Sequence, residues 1–364
     1  MSSAPPTRFA PKPEWLKVRA PGGDTYHHLK QTLRKLDLHT VCEEARCPNV
    51  GECWREGTAT VMLLGDVCTR GCRFCAVTSG DPHGFVDTRE PEHVARAIAR
   101  LSLQYVVMTM VNRDDLLDGG AEHVGRTVQR LKALRPDILV ETLVGDFCGH
   151  FSSVDVVVES GIDVFAHNVE TIRRLTRMVR DARSSYDQSL AVLGRAKKRA
   201  LALGLSGQLT KSSIMVGVGE TDDEVIEAMR DLRSVGVDVV TVGQYLRPTP
   251  KHIDVLRFVP PQTFAMYERE ALAMGFAYVA SGPLVRSSYR AAEVFLRGIL
   301  RSGRGHAVDG HGVQTALDAR MDVARREARR VATDMGEEEA VPPLAIPDGR
   351  GASGLLPVSS LVRR

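Results

Sequence analysis

The sequence has few aromatic residues and no long apolar run. Phe, Trp and Tyr make up 5% of the 364 residues, and the formal net charge is only +3. No apolar run approaches the roughly 18–20 residues that a membrane-spanning helix needs, and so small a charge gives no case for nucleic-acid binding. With 43% hydrophobic and 26% charged residues, the composition predicts a globular, cytoplasmic protein with no nucleic-acid or membrane partner.

The sequence also lacks a recognisable secretory signal. The segment from Met1 to Pro6 contains no apolar core of the kind found in signal peptides, so we expect the protein to stay in a reducing compartment. Disulfide frameworks are typical of small secreted chains. They are therefore a poor explanation for the seven cysteines of this long chain.

Six of the seven cysteines fall in two close triplets. They are spaced as Cys42-x4-Cys47-x5-Cys53 and Cys68-x3-Cys72-x2-Cys75. Cysteines grouped in threes and fours at such spacings hold iron–sulfur clusters. Structural zinc is the alternative, but it prefers paired Cys-x2-Cys knuckles, and only Cys72 and Cys75 form such a pair. The two triplets predict two clusters, each with one iron site left for a ligand other than cysteine.

Apolar strands alternate with helices along the middle of the chain. The predicted strands are residues 60–65, 105–111, 138–144, 163–167, 212–217 and 237–242. The main helices between and after them are predicted at residues 90–103, 121–134, 153–160, 186–203, 222–235 and 261–274. Six strand–helix units indicate a parallel α/β fold, and a full barrel would need two more. The expected fold class is a partial (β/α)6 parallel barrel with an N-terminal cluster-binding extension and a C-terminal helical tail.

Polar segments follow several of the predicted strands. The second cysteine triplet follows the first strand, and later strands are followed by residues 112–115, 167–170, 217–221 and 244–245. The carboxyl ends of parallel barrel strands meet at one face, where function is found. A single charged loop is usually only solvated, and a Gly-x-Gly pair is often a plain turn. Several such segments at one rim predict a functional site there.

The second triplet, with Phe74 just before its last cysteine, resembles the signature of radical S-adenosylmethionine enzymes. The resemblance implies a [4Fe–4S] cluster held by three thiolates, whose fourth iron binds the amino and carboxylate groups of S-adenosylmethionine. It also implies that an electron from this cluster cleaves the sulfonium bond and gives a 5′-deoxyadenosyl radical. The partial barrel is the fold that this resemblance implies.

Longer stretches resemble the lipoyl synthase family over about residues 13–300. They are residues 12–16, 39–54, 64–77, 165–171, 245–252 and 281–289. The resemblance implies a sulfurtransferase that inserts two sulfur atoms, at C6 and C8 of a protein-bound octanoyl-lysine, to form lipoyl-lysine. It implies two [4Fe–4S] clusters and S-adenosylmethionine as cofactors, with the auxiliary cluster as sulfur donor and no catalytic side chain.

The same resemblance implies a role for particular residues. The radical cluster would be held by Cys68, Cys72 and Cys75, and the auxiliary cluster by Cys42, Cys47, Cys53 and Ser288. Ser287 is the neighbour that could take the place of Ser288, and a helix N-cap is the ordinary alternative for this serine pair. The cofactor contacts implied are Asn168, Glu170 and Gln244. Cys148, which departs from the family pattern, is expected to be a small thiol and not a ligand.

Partners and domains complete the expectations. The implied partners are octanoylated lipoyl domains of 2-oxoacid dehydrogenases and the glycine cleavage H protein, an electron donor such as flavodoxin or ferredoxin, and an iron–sulfur carrier protein. We expect an arm and auxiliary-cluster segment at 1–58, the barrel at 59–282, a closing segment at 283–300 and a tail at 301–364. In the tail, composition predicts a charged, solvated helix at 314–335 and a disordered end.

Two other functions stay open at this point. One is a different radical sulfur-inserting enzyme, such as a methylthiotransferase or a biotin-synthase-like protein, although the upstream triplet argues against both. The other is a non-catalytic metal-binding module, which would make the polar rim segments accidental. An anaerobic iron and sulfide count separates the module from the enzymes, because two [4Fe–4S] clusters require about eight irons per chain.

Overall fold

The structure is a computed structural model that describes residues 12–18, 49, 58–288, 310–335 and 356–357. The first cysteine triplet, Cys42, Cys47 and Cys53, lies outside the described residues. None of the described helices is long and apolar enough to cross a membrane.

Seven parallel strands form the central sheet. They are β1 (Thr58–Leu63), β2 (Tyr105–Met110), β3 (Leu139–Leu143), β4 (Val164–Ala166), β5 (Leu209–Val216), β6 (Val239–Gln244) and β7 (Tyr278–Gly282). The strands lie in the sheet in the order of the chain, and every neighbouring pair is parallel. Thus β1 and β7 are the two edges, and the sheet is that of a partial barrel. The predicted fold class is confirmed.

Helices connect the strands on the outer side of the sheet. They are α1 (Glu90–Ala99), α2 (Ala121–Leu134), α3 (Phe151–Glu159), α4 (Thr176–Val179), α5 (Tyr186–Ala202), α6 (Asp222–Ser234) and α7 (Pro261–Ala273), and the tail adds α8 (Gly310–Asp334). All six predicted strands are present. The seventh, β7, was not predicted because it is short and partly exposed at the sheet edge, so its sequence lacks the apolar run that marks the inner strands.

The two faces of the sheet pack differently. Residues of the outer face and of the helices form two large apolar cores, one under α1–α3 and one under α6 and α7. The concave face carries a smaller cluster near the strand starts, which includes Tyr105, Leu139, Leu209 and Val239. This cluster contains no helical residue, so it fills the interior of the barrel at its amino-terminal end and leaves the opposite end for polar side chains.

An ion pair is buried inside the barrel, next to this apolar cluster. The ammonium group of Lys211 donates to both carboxylate oxygens of Glu141 at 2.9 and 2.8 Å, and both side chains are at most 2% exposed. The hydroxyl of Tyr105 donates to Glu141 at 2.8 Å, and burial beside this carboxylate raises the pKa of Tyr105 well above its usual value. The pair joins β3 to β5 across β4.

The tail helix is not the solvated helix that composition predicted. It begins at Gly310, earlier than expected, and it buries Ala324, Ala328 and Val331. Val331 joins the core under α1–α3, and the guanidinium group of Arg330 donates to the backbone oxygen of Leu134 at 3.1 Å. The prediction was wrong because the packed face of the helix consists largely of alanines. Alanine is only weakly hydrophobic, so this face does not stand out in a sequence with many charged residues.

Replacing Lys211 with Met should destabilise the fold by about 3–5 kcal/mol, because Glu141 would keep a buried charge without its partner. The double variant Glu141→Leu/Lys211→Met should regain most of that loss. Urea unfolding of the three proteins measures both effects. Equal stability of the native protein and Lys211→Met would contradict the assigned role of the pair.

Candidate functional site

Three predicted cluster ligands lie on one loop after β1. We call residues 67–79 the cluster loop, because a short parallel pairing of Val67–Cys68 with Thr78–Ser79 joins its two ends. Cys68, Cys72 and Cys75 are free thiols of intermediate exposure. The loop lies at the carboxyl end of the parallel strands, where the sequence placed it.

The three thiols are close enough to influence one another. Burial raises the pKa of Cys75 to about 12, and the charges of Cys72 and Cys68 act in the same direction. Burial is also the main cause that raises the pKa of Cys72. Within the described residues no three His, Cys, Asp or Glu side chains could hold one metal ion. In a cubane cluster each thiolate instead binds a different iron, and iron coordination favours the thiolate form.

A buried arginine, Arg70, holds the cluster loop in place. Its guanidinium group donates to Asp114 at 2.9 Å and to Asp146 at 2.8 Å, and its side chain is only 1% exposed. Burial acts against the charge of Arg70, but hydrogen bonds to Asp146 and Asp114 raise the pKa above its usual range. Because Asp114 follows β2 and Asp146 follows β3, one side chain fixes the loop to two other strand ends.

Backbone contacts fix the rest of the loop. The amide of Thr69 donates to Asn112 O at 2.9 Å, and the amide of Gly71 donates to the carboxylate of Asp181 at 2.8 Å. His252, which follows β6, lies with its Nε2 at 2.9 Å from the backbone oxygen of Cys75. The loop therefore rests on segments that follow four different strands, which gives the thiols a defined position.

The seventh cysteine, Cys148, lies on the same rim but is exposed. Its thiol donates to Asp114 at 3.2 Å, and its backbone has a left-handed φ of 52°. It is thus a hydrogen-bonded neighbour of the Arg70 ion pair, separate from the three cysteines of the loop.

Two of the three predicted cofactor contacts, Asn168 and Glu170, lie together on the segment after β4. The amide of Asn168 donates to the carboxylate of Glu170 at 3.1 Å, and both residues follow β4. Burial raises the pKa of Glu170, and the charge of Glu170 in turn raises the pKa of Cys72 and Cys75. The Oδ1 atom of Asn168 is buried and has no hydrogen-bond partner among the described residues, so its capacity to accept a hydrogen bond is unused.

The third, Gln244, is already fully engaged in the protein. Its amide nitrogen lies within 3.2 Å of the backbone oxygens of Val216, Tyr245 and Arg257, and its oxygen accepts from Val259 N at 2.8 Å. These bonds give the side chain a structural role that sequence reasoning did not foresee. The contact of Gln244 with a cofactor stays a prediction, without an open side-chain atom to support it.

Gly217, at the end of β5, allows this close packing. Its φ of 100° is left-handed, and an added Cβ would lie 2.1 Å from Gln244 Nε2 and 2.4 Å from Arg257 O. The carboxylate of Glu220 accepts from the amides of Gly217 and Val218 at 2.6 and 3.0 Å. The predicted Gly-x-Gly segment is therefore a tight turn with its own carboxylate cap.

Arg180 is a site residue that sequence reasoning missed. It is 6% exposed, and its guanidinium group donates to Ser189 Oγ at 2.8 Å. Its charge lowers the pKa of Cys72 and Glu170, against the larger effect of burial. Ser189 Oγ lies 2.9 Å from Nε2 of His167, and burial lowers the pKa of His167 to about 4. A neutral histidine thus helps to hold a buried cation beside the thiols.

The predicted auxiliary-cluster serine lies at the other end of the rim. Ser287 and Ser288 follow β7 and are half-buried. Asn49, which stands between Cys47 and Cys53 in the sequence, donates to Leu284 O at 2.7 Å. This contact brings a residue of the first triplet segment near the serine pair.

Comparison with known proteins decides the family. Residues 7–47 match the N-terminal domain of lipoyl synthase of the radical S-adenosylmethionine family, and residues 62–232 match the radical S-adenosylmethionine superfamily. A lipoyl synthase of Sorangium cellulosum (strain So ce56) is 69% identical over 98% of this chain and 100% of its own length. This chain belongs to the lipoyl synthase family.

Other lipoyl synthases agree with this assignment. One from Anaeromyxobacter dehalogenans (strain 2CP-C) is 56% identical over 80% of this chain and 98% of its own length. The mitochondrial lipoyl synthase of Eremothecium gossypii is 55% identical over 80% of this chain and 79% of its own length. The lipoyl synthase family consists of radical S-adenosylmethionine enzymes that insert sulfur, and membership implies a [4Fe–4S] cluster and S-adenosylmethionine. The family and the reaction predicted from the sequence are confirmed.

The anchor can be tested by replacing Arg70 with Lys. Lysine keeps the charge but loses the fork of donors that serves two carboxylates, so we expect a loss of about 2–3 kcal/mol in unfolding free energy. Iron content after anaerobic reconstitution should also fall. The matched control is Arg199→Lys, because Arg199 pairs with Glu159 near the surface, where such a pair is worth about 0–1 kcal/mol. If the two changes lower the unfolding free energy and the iron content equally, Arg70 has no special role in holding the cluster loop.

Proposed function

We propose that this protein carries two [4Fe–4S] clusters and divides its reaction between them. Cys68, Cys72 and Cys75 would hold the radical-generating cluster. The observation that carries this assignment is the presence of three free thiols on one loop, fixed by segments after four strands, with Glu170 and the unpartnered oxygen of Asn168 on the segment after β4.

The side chains around the loop have separate tasks in this proposal. When bound, the radical cluster supplies the electron that cleaves S-adenosylmethionine. Glu170 accepts hydrogen bonds from hydroxyl groups of the cofactor, and Asn168 orients that carboxylate through its amide. Arg70 and its carboxylate partners hold the loop still, which keeps the cofactor oriented. Gln244 supports the segments at the rim through its bonds to backbone groups. Its proposed contact with the cofactor rests on the family resemblance alone.

The auxiliary cluster would be held by Cys42, Cys47, Cys53 and Ser288. Its support is the 2.7 Å hydrogen bond from Asn49 to Leu284 O, which links the segment of the first triplet to the chain just before the serine pair. Oxygen is a harder ligand than thiolate, and iron–sulfur sites favour soft ligands. A serine position is therefore easier to vacate when this cluster gives up sulfide.

The substrate is a protein that carries a lipoyl domain. We propose octanoylated lipoyl domains of 2-oxoacid dehydrogenases and the glycine cleavage H protein as carriers, flavodoxin or ferredoxin as electron donor, and an iron–sulfur carrier for reassembly, all in the cytoplasm. The barrel at 59–282 would be flanked by the cluster segments 1–58 and 283–300 and by the tail 301–364. The buried face of α8 shows that the tail has a packed part.

The proposed function is tested by anaerobic incubation with reductant, S-adenosylmethionine and an octanoylated lipoyl domain. The fully loaded protein should raise the mass of the domain by two sulfur atoms, less the hydrogens removed. About eight irons per chain are expected for two clusters. If protein with full iron content leaves the domain without added sulfur, the proposal is overturned.

The division between the clusters can be tested with one cysteine from each triplet. Cys72→Ala should abolish formation of 5′-deoxyadenosine, because the radical cluster loses a ligand. Cys47→Ala should still form 5′-deoxyadenosine but no lipoyl, because the sulfur donor is missing. Mass spectrometry of both products separates the variants. Lipoyl formation by Cys47→Ala would make the first triplet structural.

Glu170→Gln should raise the S-adenosylmethionine concentration required for half-maximal cleavage by about tenfold or more. The reason is that a hydrogen bond to a charged carboxylate contributes about 1.5–3 kcal/mol. Titration of 5′-deoxyadenosine formation measures the change, and iron content serves as the control because Glu170 is not a ligand. An unchanged cofactor dependence would assign Glu170 a structural role.

A further inference from the structure

The outer side of the cluster loop carries a group of cations. Arg73, Arg177 and Lys251 are all exposed, and we call these three residues the cationic edge. Arg73 stands between Cys72 and Cys75 in the sequence, so a molecule that contacts its backbone lies beside two of the cluster ligands.

Hydrogen bonds bring the three residues of the cationic edge to one patch. The backbone amide of Arg73 donates to Val179 O at 2.9 Å, which places Arg73 against α4, the helix that carries Arg177. The backbone oxygen of Arg73 accepts from Ile253 N at 3.1 Å, two residues beyond Lys251. The three residues of the cationic edge therefore lie together at the cluster loop.

Acidic side chains near this patch are already paired. Asp181 pairs with Arg183 at 2.8 Å, and Asp254 pairs with Arg247. Within the part of the chain that the structure describes, no ion pair is formed by Arg73, Arg177 or Lys251. The cationic edge therefore has an excess of positive charge, and such a surface attracts and orients an acidic partner.

An apolar side chain lies beside the cations. Met178, next to Arg177 on α4, is 39% exposed, and its backbone oxygen accepts from the guanidinium group of Arg73 at 3.4 Å. A flexible methionine with a charged surround suits a small, transient protein contact. Redox encounters belong to this class of interface.

The two sides of the loop face different partners. On the inner side of the loop, Arg70 donates to Asp114 and Asp146 and Phe74 packs on the core under α6 and α7, whereas Arg73 is at the surface. We propose that the cationic edge docks an acidic protein that donates one electron to the radical cluster. The donor is oxidised by one electron and the cluster is reduced by one, so each encounter is balanced. This inference rests on the proposed radical cluster at Cys68, Cys72 and Cys75.

The test compares a protein donor with a chemical one. Arg177→Glu/Lys251→Glu is assayed for 5′-deoxyadenosine formation, first with a reduced flavodoxin over a range of concentrations and then with saturating dithionite. We expect kcat/KM for flavodoxin to fall at least about tenfold, in the range of electrostatic steering, and to lose most of its salt dependence. The rate with dithionite should stay the same, and the Kd of oxidised flavodoxin for the double variant, measured by titration calorimetry, should rise at least about tenfold because the attraction between opposite charges is lost. Arg126→Glu/Lys198→Glu, which reverses two exposed charges on α2 and α5, is the matched control and should keep the native rate with both donors.

Each other outcome overturns the docking surface. An unchanged rate with flavodoxin means that the donor binds elsewhere. A loss with both donors means that the two residues support the site itself. A raised KM for the octanoylated domain, measured with dithionite, would assign the cationic edge to the carrier protein instead. If the native protein fails to cleave S-adenosylmethionine with dithionite, the proposed function itself is wrong. This outcome differs from a failure of the docking proposal, in which cleavage with dithionite is retained.

Discussion

The geometry of the cluster loop depends on one buried cation. Arg70 is shared between Asp114 and Asp146, and all three side chains are largely hidden from solvent. A charge in such a position is tolerated only when it is paired and hydrogen-bonded. The chain therefore cannot move the loop away from the ends of β2 and β3 without leaving three buried charges unpaired. As a result, the positions of Cys68 and Cys72 follow from the parallel sheet.

The polar residues of the rim fall into two kinds. Gln244 and Glu220 have their polar atoms bonded to backbone groups, so these bonds shape the site. Asn168 keeps a buried oxygen without a partner among the described residues, and the charge of Glu170 raises the pKa of Cys72 and Cys75. A buried polar atom without a bond is costly, and a bound cofactor that donates to it would remove that cost. This difference, which no sequence motif shows, is what separates structural from ligand-facing residues here.

The sequence could predict whatever depends on local pattern. The six predicted strands, β1 to β6, have apolar runs because both of their faces are covered, and the cysteine spacing is a property of one short segment. The edge strand β7 has no such run, and the packed face of α8 consists largely of alanines. Arg70 and Arg180 are single arginines among 48 lysine and arginine residues, and only tertiary contacts with Asp146 and Ser189 distinguish them. The burial of an arginine and its hydrogen-bond partners depend on residues far away in the sequence, so composition and periodicity could not reveal them.

The spacing of the second triplet also explains how one loop can serve two sides. Between the first two cysteines, Arg70 turns into the protein to reach its carboxylates, and the amide of Gly71 is used by Asp181. Between Cys72 and Cys75 only two residues remain, and they point to different places: Phe74 packs on the core under α6 and α7, while Arg73 is exposed. The thiols are thus held mainly by contacts on the inner side, and on the outer side Arg73 makes backbone hydrogen bonds and one long side-chain hydrogen bond to Met178 O. The exposed side of the loop lies next to the proposed radical cluster, so it is the side from which a donor could approach, and a positive charge there favours an acidic donor.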